Sequence, residues 1–216
     1  MISDALSYPF KGAGLLVILL GTVFGMILQV AASTPVLGLI ALLFYFGYFS
    51  AYYFQILQHT ATGSDREPEW PDISDFLDDI ISPAFQVFCV LLISNALWIA
   101  GAIMYDPDHA LAVGGRVFGL FYFPMALLAV VIMGNINAAN PLRVLTSIAK
   151  TLPTYAVVGA VLVCLSYVVD VISTYLPGPD FIVWGISTFL LLTFITAHAR
   201  LLGLFYRQEE EKLDWL

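Results

Sequence analysis

Long apolar stretches alternate with short polar connections along the whole chain. A helix that crosses the hydrocarbon core of a bilayer needs about 20 consecutive apolar residues. Six segments approach or exceed that length, at about residues 13–32, 36–57, 84–104, 117–133, 155–176 and 181–205. Strands of a membrane barrel would alternate apolar and polar residues with a period of two, whereas the stretch from Leu15 to Leu28 is apolar on every side. The pattern therefore predicts an all-α integral membrane protein with six transmembrane helices.

The amino-acid composition agrees with this class. Hydrophobic residues make up 60% of the 216 residues and charged residues only 11%, against about 25% charged residues in soluble domains. An ordinary soluble protein is therefore excluded. The longest polar connection, residues 58–83, is too short to form an independent domain. We expect residues 1–216 to form a single six-helix membrane domain.

The first apolar segment shares some features with a cleaved signal peptide. Lys11 precedes it, and the small residues Ala31, Ala32 and Ser33 follow it. However, the apolar run is longer than the roughly 7–15 residues of a signal core. We expect this segment to be a retained transmembrane helix.

The few basic residues predict the orientation of the chain. With six spans and a cytoplasmic N-terminus, seven of the eight Lys and Arg residues lie on the cytoplasmic side, and Arg116 alone lies outside. Such an asymmetry is typical of helical membrane proteins, because their cytoplasmic loops are enriched in Lys and Arg. Both termini are therefore predicted to be cytoplasmic. Because helical bundles rather than barrels occupy the bacterial inner membrane, that membrane is the expected location.

Prolines mark a pattern that occurs three times. Each odd-numbered span is preceded by a proline, namely Pro9, Pro83 or Pro153. Proline is well tolerated in the first turn of a helix. Pro71 and Pro141 lie 12 residues before the second and third of these prolines. The segments between the paired prolines are amphipathic with helical periodicity. The spacing predicts three helical hairpins in the same orientation, preceded by short interfacial amphipathic helices.

The connection 58–83 is the most acidic part of the chain and is predicted to be a cytoplasmic loop. Four aspartates occupy the polar side of its predicted helix 72–82, namely Asp72, Asp75, Asp78 and Asp79. The connection lacks the turn glycine and terminal glutamate of a helix-loop-helix calcium site, so no metal site is expected. We interpret the acidic face as solvated, with the apolar face against the bundle or the headgroups and Trp70 as an anchor at the interface. Because anionic lipids would repel these carboxylates, a binding surface for a basic protein partner is the sharper alternative.

Two charged residues near the outer end of the predicted bundle are expected to form a structural ion pair. Asp170 is the only carboxylate inside a predicted span, and Arg116 begins the fourth span at a similar level. Ionisable groups in membranes are costly unless they are paired. A proton or cation relay at Asp170 is the alternative interpretation.

Other polar residues inside the spans suggest a solute pathway as a second hypothesis. Asn95 lies near the middle of the third span, where an interhelical hydrogen bond is the usual way to satisfy an amide. Tyr45, Tyr48 and Tyr52 form one helical stripe on the second span. His198 and Arg200, near the inner end of the sixth span, are expected to extend to the lipid headgroups.

Two segments resemble a known group of proteins. The acidic stretch Gly63–Asp72 contains Pro68-Glu69-Trp70, and the C-terminal region contains Ala199–Gly203 followed by Tyr206-Arg207 and Lys212–Trp215. These segments are similar to those of uncharacterised bacterial and archaeal multi-span membrane proteins, a domain of unknown function with an acidic Pro-x-Trp loop after the second helix. The resemblance implies an integral membrane protein and no particular catalytic or ligand-binding residue.

Signatures of common enzymes are missing from the sequence. There is no phosphate-binding glycine-rich loop, no Gly-x-Ser-x-Gly turn, and the three histidines lack metal-ligand spacing. The scarcity of basic residues argues against nucleic-acid binding. We expect a non-enzymatic protein without a cofactor that serves as a scaffold or subunit of a membrane complex. It would contact the lipid bilayer and a membrane or cytoplasmic protein partner. A small-solute or ion transporter or channel is the alternative.

Overall fold

The computed structural model describes residues 1–31, 34–64 and 77–215. All regular secondary structure within these residues is helical. The helices are α1 (Ile2–Ser7), α2 (Gly14–Ala31), α3 (Pro35–Ala61), α4 (Ser82–Met104), α5 (Ala110–Met133), α6 (Pro141–Lys150), α7 (Leu152–Tyr175) and α8 (Asp180–Leu213).

Six of the described helices are long and apolar enough to span a membrane. They are α2, α3, α5, α7, α8 and the helix formed by α4 together with the preceding turn Leu77–Ile81. Within the described residues, the prediction of an all-helical fold with six helices long and apolar enough to cross a membrane is therefore confirmed.

Several helix boundaries differ from the predicted ones. Helix α5 begins at Ala110 rather than at 117, because the His109 side chain caps it by accepting a hydrogen bond of 3.3 Å from the Leu111 backbone N–H. Helix α8 continues beyond 205 to Leu213, since its charged last turns stay packed against neighbouring helices. Residues 72–76 of the predicted separate helix 72–82 lie outside the described residues, and the described remainder from Leu77 runs directly into α4.

Glycines bring α4 and α5 into close contact. A Cβ atom on Gly119 would lie 2.5 Å from the Ser94 carbonyl oxygen, and one on Gly101 would lie 2.8 Å from the Ala112 Cα. Both distances are too short for any other residue, so the two backbones touch. Small residues commonly allow this approach between membrane helices, where packing rather than the hydrophobic effect drives association.

Helices α3 and α8 pack side by side in the same direction. Tyr53 on α3 contacts His198 on α8, and further along both helices Thr60 contacts Arg200. Buried residues concentrate in the C-terminal halves of α3, α5 and α8, within residues 47–61, 122–131 and 192–213. We call this part the closed end. The N-terminal halves of the same helices form the open end, where most large apolar side chains are exposed.

A buried arginine joins three segments at the closed end. Arg200 is only 4% exposed. Its Nε and Nη2 donate to Asp4 Oδ2 at 3.0 and 2.8 Å, and its Nη1 donates to Thr60 Oγ1 at 3.2 Å. Its guanidinium also lies over the Tyr8 ring, 4.8 Å from the centroid. The expectation that Arg200 extends to the headgroups is therefore wrong, since α1 folds back and supplies a carboxylate.

The C-terminal turns of α8 are held by a second group of polar contacts. Thr154 on α7 donates a hydrogen bond of 2.6 Å to Glu209, which also pairs with Lys212 at 2.6 Å. Trp215 donates from its indole N–H to Ser147 on α6 at 3.1 Å. These contacts explain why α8 remains helical well beyond its apolar segment.

Replacing Asp4 by Asn tests the contribution of the ion pair with Arg200. The hydrogen bond from Lys11 lowers the pKa of Asp4 below its ordinary value of 3.8, and Arg200 lowers it further. The ionised carboxylate therefore stabilises the fold above about pH 4, and this contribution is lost as the pH falls through the lowered pKa. We expect Asp4→Asn to reduce stability by about 1–3 kcal/mol at pH 7 and by less near pH 3.

Thermal unfolding in detergent at both pH values measures this difference. Glu211→Gln is the matched control, because Glu211 is an exposed carboxylate on the last turns of α8. Equal losses for Asp4→Asn at both pH values, or a loss no greater than that of the control, would contradict the stabilising role of the pair.

Candidate functional site

The candidate site begins at a buried hydrogen bond between two helices. The Tyr53 hydroxyl and the His198 Nδ1 lie 2.7 Å apart and share a hydrogen bond. His198 also contacts Phe194 edge to face, with ring centroids 5.6 Å apart. Tyr53 and His198 are 6% and 7% exposed. Because buried polar groups need partners, this pair fixes the register of α3 against α8.

A first cavity of about 270 Å³ adjoins this pair and lies among α3, α4, α5 and α8. Its lining is largely aromatic and aliphatic. Characteristic lining residues are Tyr45, Phe49, Val87, Leu127, Leu191 and Leu192, together with Tyr53 and His198. Tyr45 and Phe49 stack at a tilted angle with ring centroids 4.7 Å apart. Such a lining suits the apolar part of a ligand.

A second cavity of about 270 Å³ lies on the other side of the same aromatic residues. It shares Phe123, Phe194 and His198 with the first cavity, so the two adjoin there. Its further lining comes from α4, α5 and α7 and includes the polar residues Asn95, Arg116 and Ser166, besides Leu120, Pro124, Leu162 and Val163. Polar groups and apolar walls therefore meet in one space.

The space formed by the two cavities has a charged end and an aromatic end. Arg116 is seven residues before Phe123 on α5, which corresponds to roughly 10 Å along the helix toward the open end. His198 lies toward the closed end, next to the buried core. A molecule that fills this space would meet a positive charge at one end and aromatic rings at the other. The arrangement fits an amphiphile better than a hydrated ion, because most of the lining is apolar.

The predicted tyrosine stripe is divided among three environments. Tyr45 lines the first cavity. Tyr48 lines a separate space of about 260 Å³ between α2 and α3. Tyr52 is 4% exposed within the closed end. The three side chains therefore do not line one cavity, because the helix turns them toward different neighbours.

Asn95 lines the second cavity, but its hydrogen bond is not between helices. Its amide N–H donates to the Leu91 carbonyl of the same helix at 2.8 Å. The expected interhelical bond is therefore absent from the described contacts of Asn95, since the preceding turn of α4 offers a nearer acceptor.

Asp170 and Arg116 do not form an ion pair within the described residues. The recorded ion pairs there join Asp4 to Lys11 and to Arg200, and Glu209 to Lys212. Both Asp170 and Arg116 are exposed. Helix α7 packs mainly against α8 rather than α5, so the similar depth of the two residues does not bring them together. Arg116 lines the second cavity instead.

The acidic surface is only partly described. Asp72 and Asp75 lie outside the described residues. Asp78 and Asp79 are exposed in the turn before α4. The described ranges contain no group of three His, Cys, Asp or Glu residues arranged to hold a metal ion.

Sequence reasoning did not connect the residues at the centre of the site. Tyr53 and His198 are 145 positions apart, and His198 was expected at the headgroups. Phe123 and Phe194 look like ordinary apolar residues of their spans. One feature of the sequence could have pointed to this pair: Tyr53 and His198 are polar residues within predicted spans, and such residues need partners.

Comparisons with known protein families, with curated proteins and with solved structures find no match to this chain. The resemblance to proteins with an acidic Pro-x-Trp loop therefore stays a prediction.

Replacing Tyr53 by Phe tests the buried pair at the junction of the cavities. The change removes the hydroxyl and leaves His198 Nδ1 without its partner, at an expected loss of about 1–3 kcal/mol in stability. Tyr167→Phe is the matched control, because Tyr167 is 68% exposed on α7. Thermal unfolding in detergent compares the two variants. An unchanged unfolding temperature for Tyr53→Phe would show that the hydrogen bond does not hold α3 against α8.

Proposed function

We propose that this chain is a non-enzymatic membrane protein that binds an apolar molecule of the bilayer in its two adjoining cavities. The observation that carries this proposal is the junction at Phe123, Phe194 and His198, where the two cavities adjoin. Together they offer more than 500 Å³ within a bundle whose other end is tightly packed. Ligand sites of about 300–1,000 Å³ with mainly apolar lining are typical of small-molecule binding.

Binding is a better interpretation than conduction through the bundle. Beyond His198 the helices pack closely, with Ile56, Leu57 and Leu202 fully buried. Transport would require this closed end to open, which would separate Arg200 from Asp4 and Thr60. Breaking such a buried interaction is costly. We therefore rank the transporter hypothesis below binding.

The order of the helices supports a hairpin that is repeated three times in the same orientation across the membrane. We propose three helical hairpins, formed by α2 with α3, α4 with α5, and α7 with α8. The short helices α1 and α6 precede the first and third hairpins and would lie at the interface. Pro83 and Pro153 occupy the first turns of α4 and α7. The distribution of basic residues supports an orientation with both termini in the cytoplasm, and the helical rather than barrel architecture supports the inner membrane as the location.

We further propose that the acidic stretch makes the protein a subunit or scaffold of a membrane complex. The observation in its favour is that Asp78 and Asp79 are exposed and take part in none of the recorded ion pairs of the described residues. Complementary charge mainly accelerates association and makes it depend on salt. A basic surface on a protein partner would match these carboxylates together with Asp72 and Asp75.

Replacing Leu191 by Trp tests the proposed binding function. Leu191 lies on α8, is 44% exposed and lines the first cavity, so the larger ring would occupy that space. We expect the purified variant to retain at least several-fold less bound lipid-like material than the wild-type protein, as measured by native mass spectrometry. Ile186→Trp is the matched control, because Ile186 is an exposed residue of α8 outside the cavity lining. Equal retention by both variants would refute binding in the first cavity.

Charge removal tests the partner-binding proposal. We expect Asp78→Asn/Asp79→Asn to weaken co-purification of a protein partner, and the remaining association to depend less on salt. Asp106→Asn/Asp108→Asn removes the same charge from the connection between α4 and α5 and should leave co-purification unchanged. A folded Asp78→Asn/Asp79→Asn variant that keeps every partner at all salt concentrations would contradict the proposal.

Cysteine labelling tests the proposed orientation. Cys89 and Cys164 are first replaced by Ala, and a single cysteine is then placed at Ser64 or Ala110. In intact cells an impermeant thiol reagent should label Ala110→Cys and leave Ser64→Cys unlabelled. After the cells are lysed, both variants should react. The reverse labelling pattern in intact cells would invert the orientation.

A further inference from the structure

We propose that the second cavity holds one chain of an anionic membrane lipid, with the lipid headgroup at Arg116. This inference rests on the proposed binding function and names the class of its ligand. The juxtaposition that carries it is a cationic side chain at the end of an aromatic and aliphatic cavity inside a membrane-spanning bundle.

Arg116 provides the charge that selects the headgroup. A guanidinium stays protonated and binds phosphate through two parallel hydrogen bonds. Arg116 is six residues after the start of α5, or roughly 9 Å along the helix, which is near the boundary of a spanning segment. A cation at this depth needs an anionic partner. Asp170 does not fill that role, because it takes part in none of the recorded ion pairs of the described chain and is not part of the cavity lining.

Asn95 provides additional hydrogen-bonding groups close to Arg116. Its neighbour Ser94 contacts Gly119, which lies three residues after Arg116 on α5. Asn95 donates one hydrogen bond to Leu91, and an amide has a second N–H and a carbonyl oxygen to offer. Phosphate or glycerol oxygens placed between Arg116 and Asn95 would therefore meet donors from two helices.

The rest of the cavity suits a hydrocarbon chain. Phe123, Pro124, Leu162 and Phe194 form its apolar walls. A volume of about 270 Å³ is just below the usual range of about 300–1,000 Å³ for small-molecule sites, so the space fits one chain rather than a whole phospholipid. The second chain would remain in the bilayer against the exposed apolar surface of α5 and α7.

The test compares two lipids with identical chains, one with an anionic and one with a zwitterionic headgroup. Protein is purified in mild detergent and mixed with phosphatidylglycerol and phosphatidylcholine of identical chains, and native mass spectrometry counts the retained molecules. We expect the wild-type protein to keep one phosphatidylglycerol about tenfold more readily than phosphatidylcholine, since one charged interaction of about 1.4 kcal/mol gives that ratio. Arg116→Gln should still retain a lipid but lose the preference.

Two further variants make the outcome specific. Arg143→Gln removes a charge from an exposed residue of α6 outside both cavities and should keep the wild-type preference. Val163→Trp fills the second cavity and should reduce retention of both lipids. If Arg116→Gln does not fold, the wild-type comparison and the loss of its phosphatidylglycerol preference at high salt still decide whether charge selects the headgroup.

The outcomes separate this inference from the proposed function. Retention of one lipid without a headgroup preference, or a preference that survives in Arg116→Gln, would overturn the inference and leave apolar binding intact. Failure of the wild-type protein to retain any lipid would overturn both. A lipid-free species containing two copies of the chain would show that the cavity is instead covered by a second protomer.

Discussion

The structure depends on the burial of the Arg200 guanidinium. An arginine stays charged at all accessible pH values, and a charge withdrawn from water must be paired and hydrogen-bonded. Asp4 and Thr60 meet this requirement at 2.8–3.2 Å. They come from the N-terminal helix and from α3, so satisfying one side chain on α8 brings three distant segments of the chain together. The position of α1 follows from this constraint, because a six-residue helix has little stability of its own.

Close packing at one end leaves space at the other. The three helices that carry most of the core, α3, α5 and α8, are in contact along their C-terminal halves, where Arg200, the Tyr53–His198 pair and the contacts of Glu209 lie. Their N-terminal halves expose apolar side chains, and the two cavities lie between these halves and the start of the closed end, which contributes Phe123, Phe194 and His198. A bilayer is the natural source of molecules for such a space, because its lipids match both the apolar lining and, at Arg116, the charge.

Properties that depend on local composition could be predicted from the sequence. Properties that depend on contacts between distant residues could not. The number of spans follows from hydrophobic run length alone, and all six predicted segments correspond to described helices. Helix α8 extends beyond the predicted span 181–205 because contacts of Glu209 and Trp215 with other helices sustain it. Equal depth suggested that Asp170 would pair with Arg116, yet depth does not determine which helices are neighbours. Arg200 was assigned to the headgroups because its partner Asp4 lies 196 positions away.

A cryo-EM map of the protein in nanodiscs that contain an anionic lipid would test the proposed lipid site directly. We predict an elongated density between α5, α7 and α8 that begins at the Arg116 side chain and reaches the Phe123, Phe194 and His198 cluster, with the closed end packed beneath it. A map in which these helices meet and leave no space, or in which the space is empty and Arg116 contacts Asp170, would contradict it.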